Sequence, residues 1–247
     1  MSERRARRAR RPSRAHSQHF LRSQSLAAEL VRDAGIRPGD LVVDLGAGSG
    51  RLTGELAAVA RRVLAVELDP RWVKHLRGRW PNVDVVEADA AVVRLPRREF
   101  RIVANLPFDG TNAILRHLLD DPAVPLLRAD LVVQWGVAVK RALPRPSTVN
   151  GVVWGAWHEF AVERRLPPTA FQPPPSVDAA VLVVRRRERF LVPATCAAPY
   201  RRFVASGFRH GLRWVASARA AGRLGFAGRQ PRELDAHEWA RLFLECG

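Results

Sequence analysis

Short apolar runs at residues 41–45, 63–66, 83–86, 102–104 and 131–135 recur along this chain, separated by helix-length or loop-length intervals. A strand that is apolar on both faces is stable only inside a sheet covered by helices on both sides, so this alternation predicts a parallel, doubly wound α/β sheet. Leu26, Leu30 and Val31 at helical spacing, with Gly35 beyond them, predict a helix over 25–34. A second is expected over 112–119, and 120–125 reads as a connector with two prolines. Beyond the fifth run, a helix over 148–155, a strand over 157–165 and a buried strand over 177–184 bring the expected strand total to seven. The Pro-rich link over 167–175, which carries Phe171, is expected to be stiff and extended. From residue 198 onward Arg, Ala and Gly alternate with single aromatics such as Tyr200, Phe203 and Phe208 at helical spacing, so a small C-terminal helical domain is expected beyond a boundary near Arg187.

The turn after the first run reads Asp44-Leu45-Gly46-Ala47-Gly48-Ser49-Gly50 and leads into a helix expected to begin near Leu52. Glycines there let the backbone turn sharply and approach a ligand closely. Alone, such a loop fits nicotinamide, flavin and S-adenosyl-L-methionine sites alike. Two carboxylates narrow the choice. Glu67 ends the second run, 21 residues after Gly46, where it can accept hydrogen bonds from both hydroxyls of a ribose. Asp89, followed by Ala90, stands just after the third run, placed to take the amine of a cofactor adenine. A dinucleotide site needs room for a pyrophosphate and usually the longer GxGxxG pattern. GAGSG after an acid favours S-adenosyl-L-methionine as the cofactor, held by Gly46, Gly48, Glu67, Asp89 and Ala90, with Asn105 of the next strand end beside them.

The fourth run closes on Asn105-Leu106-Pro107-Phe108. An exocyclic amine such as N6 of adenine is a poor nucleophile, because its lone pair is delocalised into the ring. A site for it must therefore supply hydrogen-bond acceptors at close range. The Asn105 side-chain oxygen and a main-chain carbonyl of Leu106 or Pro107 are candidates to accept its two protons. Pro107 stiffens the turn, and Phe108 offers a π-face for the base.

The formal net charge is +17, and its distribution matters more than its size. Residues 1–22 carry eight Arg against one Glu, residues 185–247 carry thirteen Arg against five acids, and the 162 residues between them hold 20 basic and 18 acidic side chains. A near-neutral body flanked by two basic ends points to nucleic-acid phosphates, with Arg8, Arg10 and Arg14 of the arm as candidate contacts. Residues 1–17 are expected to be a basic flexible arm. No apolar run approaches the roughly 20 residues needed to span a bilayer, so no membrane role and a cytoplasmic location are expected. Cys196 and Cys246 lack metal-ligand or disulfide spacing, so no metal is expected.

With these motifs in place the chain resembles the ribosomal RNA adenine-N6 methyltransferases, which include the Erm macrolide-resistance enzymes and the small-subunit adenine dimethyltransferases. The resemblance runs from about Gln18 to Arg186, through Gln18-His19-Phe20-Leu21, the DLGAGSGRLT loop, AVELD, EADA, NLPF and the segment from Phe171 to Asp178. It implies a Rossmann-like seven-stranded methyltransferase sheet over 18–187 and a small helical RNA-binding domain over 188–247. It also gives His19 and Leu21 a cofactor role, His19 standing where the family usually has Asn. Phe171 would press on the face of the target base opposite Phe108, where the family frequently has Tyr. The implied reaction is direct methyl transfer to adenine N6 of ribosomal RNA by a monomer, with no covalent enzyme intermediate. The Arg-rich arm and the Trp-rich segment around Trp154 and Trp157 favour the Erm branch of actinobacterial type, hence large-subunit RNA and macrolide resistance. Methylation of small-subunit RNA is the alternative, and a non-catalytic nucleic-acid-binding protein on the same fold is a rival of another class.

Overall fold

A computed structural model describes residues 19–246. The basic arm with Arg8, Arg10 and Arg14, and Gln18, lie outside the described residues. In chain order the first elements are β1 (Phe20–Leu21), α1 (Gln24–Asp33), β2 (Leu41–Leu45), α2 (Arg51–Val59), β3 (Arg62–Glu67), α3 (Pro70–Leu76), β4 (Val83–Glu87) and β5 (Phe100–Asn105). There follow α4 (Thr111–Leu119), β6 (Leu126–Gln134), α5 (Trp135–Ala142), α6 (Val149–Gly155), β7 (His158–Leu166), β8 (Phe171–Gln172) and β9 (Ala179–Arg186). Helices α7 (Ala197–His210), α8 (Ala218–Arg223) and α9 (Ala236–Cys246) complete the chain.

The main sheet has the order β4-β3-β2-β5-β6-β9-β7. Its strands run parallel from β4 to β6, and β9 is antiparallel to both of its neighbours. Central strands are buried on both faces, which is why they read as unbroken apolar runs; the edge strand β4 instead has no fully buried residue and exposes Asp84 and Glu87. The reversal of sheet order lies between β2 and β5, where open α/β sheets form a crevice at the carboxyl ends of their strands.

Local chemistry fixes the helix starts. Ser23 Oγ accepts from Leu26 N at α1, Asp69 caps α3 ahead of Pro70, and Thr148 Oγ1 accepts from Gly151 N at α6. β6, expected over 131–135, departs from those bounds at both ends. It reaches back to Leu126 because Arg128 and Asp130, two residues apart and so on one face, pair at 2.6 Å and 2.8 Å and cancel each other's charge. Trp135 opens α5 instead of ending the strand.

The Pro-rich link is extended only in part. Pro168–Ala170 is a single 3₁₀ turn, after which β8 pairs antiparallel with β1, Phe20 opposite Gln172 and Leu21 opposite Phe171. This two-strand strap ties the start of the described chain to the link across the carboxyl edge. The C-terminal helices are present as expected, and their core is continuous with that of the sheet through Trp154, Trp157, Tyr200, Trp239 and Phe243. The buried indoles keep their N–H groups satisfied, Trp154 on Asp120 Oδ1 and Trp157 on the Val192 carbonyl, both at 2.8 Å.

Candidate active site

A cleft opens at the carboxyl ends of β2, β3, β4 and β5, and its walls include His19, Phe20, Gly46, Gly48, Glu67, Leu68, Asp89, Ala90, Asn105, Leu106, Pro107 and Asp109. Of the residues expected from sequence, it therefore gathers the glycine turn, both carboxylates, Ala90, His19 and the first three positions of the Asn-Leu-Pro-Phe turn.

The glycine turn requires its glycines. Gly48 has φ 51°, and a Cβ there would lie 2.6 Å from the Phe20 ring, so the strap sits directly on the loop. Its freed backbone donor goes to Glu67: Gly48 N–H reaches Oε2 at 2.7 Å, while Leu68 N and Asp69 N reach Oε1 at 2.7 Å and 2.8 Å. Glu67 is thus buried with three of its four lone-pair sites filled. It retains acceptor capacity beyond these three protein donors. Asp89 Oδ1 accepts from Ala91 N at 3.0 Å at the neighbouring strand end.

Beneath the loop lies Asp44, fully buried, its Oδ2 accepting from Thr53 Oγ1 at 2.7 Å. Burial, reinforced by the nearby Glu67 carboxylate, pushes its pKa from 3.8 up to about 7 against the opposing pull of the Thr53 hydrogen bond. In sequence Asp44 is only an acid ahead of the loop, because the Thr53 contact forms across the turn of the glycine loop.

Asn105 ends β5 with its Nδ2 donating to the His19 carbonyl at 2.7 Å, an arrangement that fixes which amide atom faces which way. Its Oδ1 is buried and has no hydrogen-bond partner among the described residues. A buried acceptor without a donor costs on the order of 1–3 kcal/mol, so a site that holds one is built for a donor that arrives from outside. Of the two candidate carbonyls, that of Pro107 is already taken by Gly110 N at 3.1 Å and Thr111 Oγ1 at 3.0 Å, which leaves Leu106.

The aromatic clamp expected around a base is not assembled. Phe108 is buried at 9% exposure, with the His19 ring 5.3 Å from it and Phe171 edge-on at 6.3 Å. Phe171, 2% exposed, and Leu21, 3% exposed, pack in the apolar core beside the strap and do not line the cleft. The physical reason is pairing: β1 and β8 hold both side chains down, and the His19 ring lies beside Phe108 with its Nδ1–H donating to the Pro173 carbonyl at 2.8 Å.

Residues that sequence reasoning missed include Leu68, an exposed apolar side chain on the cleft wall next to Glu67, and Asp109, one residue past the Asn-Leu-Pro-Phe turn. An apolar residue directly after a strand-end acid was the available signal for the first. The cleft wall holds Glu67, Asp89 and Asp109 but, among the described residues, no Lys or Arg, in a chain with 41 of them. Such a wall suits a cation rather than a pyrophosphate.

Fold and cleft together define the class of the protein, a methyltransferase. Residues 10–213 match the ribosomal RNA adenine dimethylase family, and the chain belongs to that family. Among its relatives, an rRNA adenine N-6-methyltransferase of Corynebacterium diphtheriae is 36% identical over 173 residues, 69% of this chain and 67% of that protein. The mycinamicin-resistance protein MyrB of Micromonospora griseorubida is 33% identical over 246 residues, 93% of this chain and 78% of that protein. The crystal structure of the 23S rRNA methyltransferase ErmE superposes with a TM-score of 0.79 at 30% identity, covering 92% of this chain and 99% of that one.

Proposed function

We propose that this chain, acting as a monomer, transfers the methyl group of S-adenosyl-L-methionine to N6 of an adenine in large-subunit ribosomal RNA and so protects ribosomes from macrolides, lincosamides and streptogramin B antibiotics. The observation that carries this reading is the unpartnered Asn105 Oδ1 beside the glycine turn. The large-subunit preference draws on the likeness to MyrB and ErmE, whose names speak of mycinamicin resistance and 23S rRNA.

The residues present fit the cofactor. Glu67 would take a ribose hydroxyl, Asp89 the adenine amine, and Leu68 one face of the adenine, while the acidic wall favours a positive sulfonium. A dinucleotide fits less well, because the Gly48 N–H that would meet its pyrophosphate is already held by the Glu67 carboxylate. When bound, S-adenosyl-L-methionine supplies an electrophilic methyl group on sulfur.

The protein's task is to present the amine. Asn105 Oδ1 and the Leu106 carbonyl each accept a hydrogen bond from one N6–H, which draws the amine lone pair out of conjugation and aims it into the cleft. A strong general base is unnecessary, since the proton becomes acidic once the nitrogen is cationic. The target base must leave its stack, at a cost of a few kcal/mol that is smaller in a loop. Phe108 stacking, about 1–3 kcal/mol, offsets part of it once the His19 ring yields its place.

Expression in a macrolide-sensitive host tests the function. Raised resistance that disappears with Asn105→Ala is expected; unchanged susceptibility despite production of the folded wild-type protein contradicts it.

A further inference from the structure

Between residues 189 and 232 the chain carries nine Arg and no Asp or Glu. The acids that α9 brings to this region are already paired, Glu238 with Arg229 at 2.6 Å and Glu245 with Arg223. Arg209, Arg213 and Arg219 are exposed and form no ion pair among the described residues, so the connector from α7 to α8 has an uncompensated positive charge.

Trp214 stands in that connector. It is 66% exposed, and no other aromatic side chain among the described residues is a large exposed hydrophobic. The other indoles are buried or half-buried; Trp80, for example, lies under Arg79 and against the glycine turn. Trp214 is not on a floppy tip. It ends a 3₁₀ turn, Leu212–Trp214, anchored by the buried Leu212 and Ala216 and closed by hydrogen bonds from Trp214 N to Gly211 O at 3.1 Å and from Ala216 N to Leu212 O at 2.9 Å. The His210 ring leans against it at 5.3 Å and 46°, leaving most of the indole open to solvent.

We propose that this turn is a second RNA contact, in which an unpaired base stacks on the Trp214 indole while the adjoining phosphates meet Arg209, Arg213 and Arg219. An open π-face in a stretch of chain that also carries unpaired guanidinium groups is the pairing that single-stranded nucleic acid requires, stacking for its bases and cations for its backbone. A membrane surface fits less well: the exposed neighbours Arg213, Ser217 and Ala218 offer no further large apolar side chains to insert beside the indole. The inference rests on the reading that the substrate is RNA, but it concerns affinity for unpaired nucleotides outside the methylation cleft.

Binding of the full-length protein to a single-stranded oligocytidylate of about 12 nucleotides, compared with a blunt RNA duplex of the same length, tests it. Trp214→Ala is expected to weaken the single strand about five-fold to a hundred-fold, in line with the value of one stacked base, and to leave the duplex unchanged. Trp214→Phe is expected to keep most of the wild-type affinity. Wild-type affinity of Trp214→Ala for the single strand overturns the proposal. Equal loss on single strand and duplex also overturns it, because Trp214 would then serve only to hold the turn in shape. A Trp214-dependent affinity for anionic vesicles with no effect on RNA overturns it in favour of a membrane contact. Oligocytidylate contains no adenine, so this outcome is independent of whether the cleft methylates N6.

Discussion

In the proposed reaction Asn105 presents the base and Glu67 holds the cofactor. Asn105→Ala is expected to lower methyl transfer by about a hundred-fold or more, the usual cost of one positioned polar group, while S-adenosyl-L-methionine still binds. Calorimetric titration beside a turnover assay checks the split, and loss of both to the same extent would assign Asn105 a structural part. Glu67→Gln replaces an all-acceptor group that serves three N–H donors with an amide that must point its own N–H₂ at one of them. Cofactor affinity is expected to fall about ten-fold or more in the same titration. Asp44 makes a pH-dependent contribution of known sign. Its folded pKa of about 7 lies above the unfolded value of 3.8, so the native state binds the proton more tightly. The stabilisation is complete below the unfolded value and is lost as pH rises toward about 7. Asp44→Asn, which cannot titrate, is expected to flatten that decline when thermal unfolding is followed across this range; an unchanged pH profile would show that Asp44 is ionised throughout. At this scale the sequence was informative about Gly46, Glu67, Asp89 and Asn105, because each closes an apolar run. It was silent about the cover on Phe108, because His19 reaches it from 89 positions away and no local pattern encodes that approach.

Elements with long apolar runs were legible and those that depend on tertiary pairing were not. β2 has the expected bounds because burial on both faces leaves an unbroken apolar stretch. β1 and β8 are two residues each, too short for any period, and exist because they pair with each other. Trp135 continues the apolar character of β6 yet starts a helix, a change that follows from the backbone turn at Gln134 rather than from hydropathy. The strap has a testable mechanical role, since Phe20 sits on Gly48. Gly48→Ala is expected to weaken cofactor binding through both the left-handed φ and the clash, and adding Phe20→Ala is expected to recover part of the loss by removing the clash. No recovery in the double variant would mean that backbone strain alone explains the effect.

The whole molecule joins an acidic cleft to basic ends. Its charge distribution was readable from composition alone, but the paired acids of α9, which leave the α7–α8 connector uncompensated, became visible only in three dimensions. Removing residues 1–14 deletes seven Arg and is expected to weaken RNA binding and reduce its salt dependence while sparing cofactor affinity. Equal loss of both affinities would contradict this division of labour. The meeting of methyl donor and adenine amine at the carboxyl edge of the sheet is tested most directly by incubating the protein with methyl-labelled S-adenosyl-L-methionine and ribosomal RNA, then digesting the RNA to nucleosides. Label in N6-methylated adenosine from large-subunit RNA, absent with Asn105→Ala, is the expected result; label in any other nucleoside, or none from an active preparation that binds the cofactor, would contradict it.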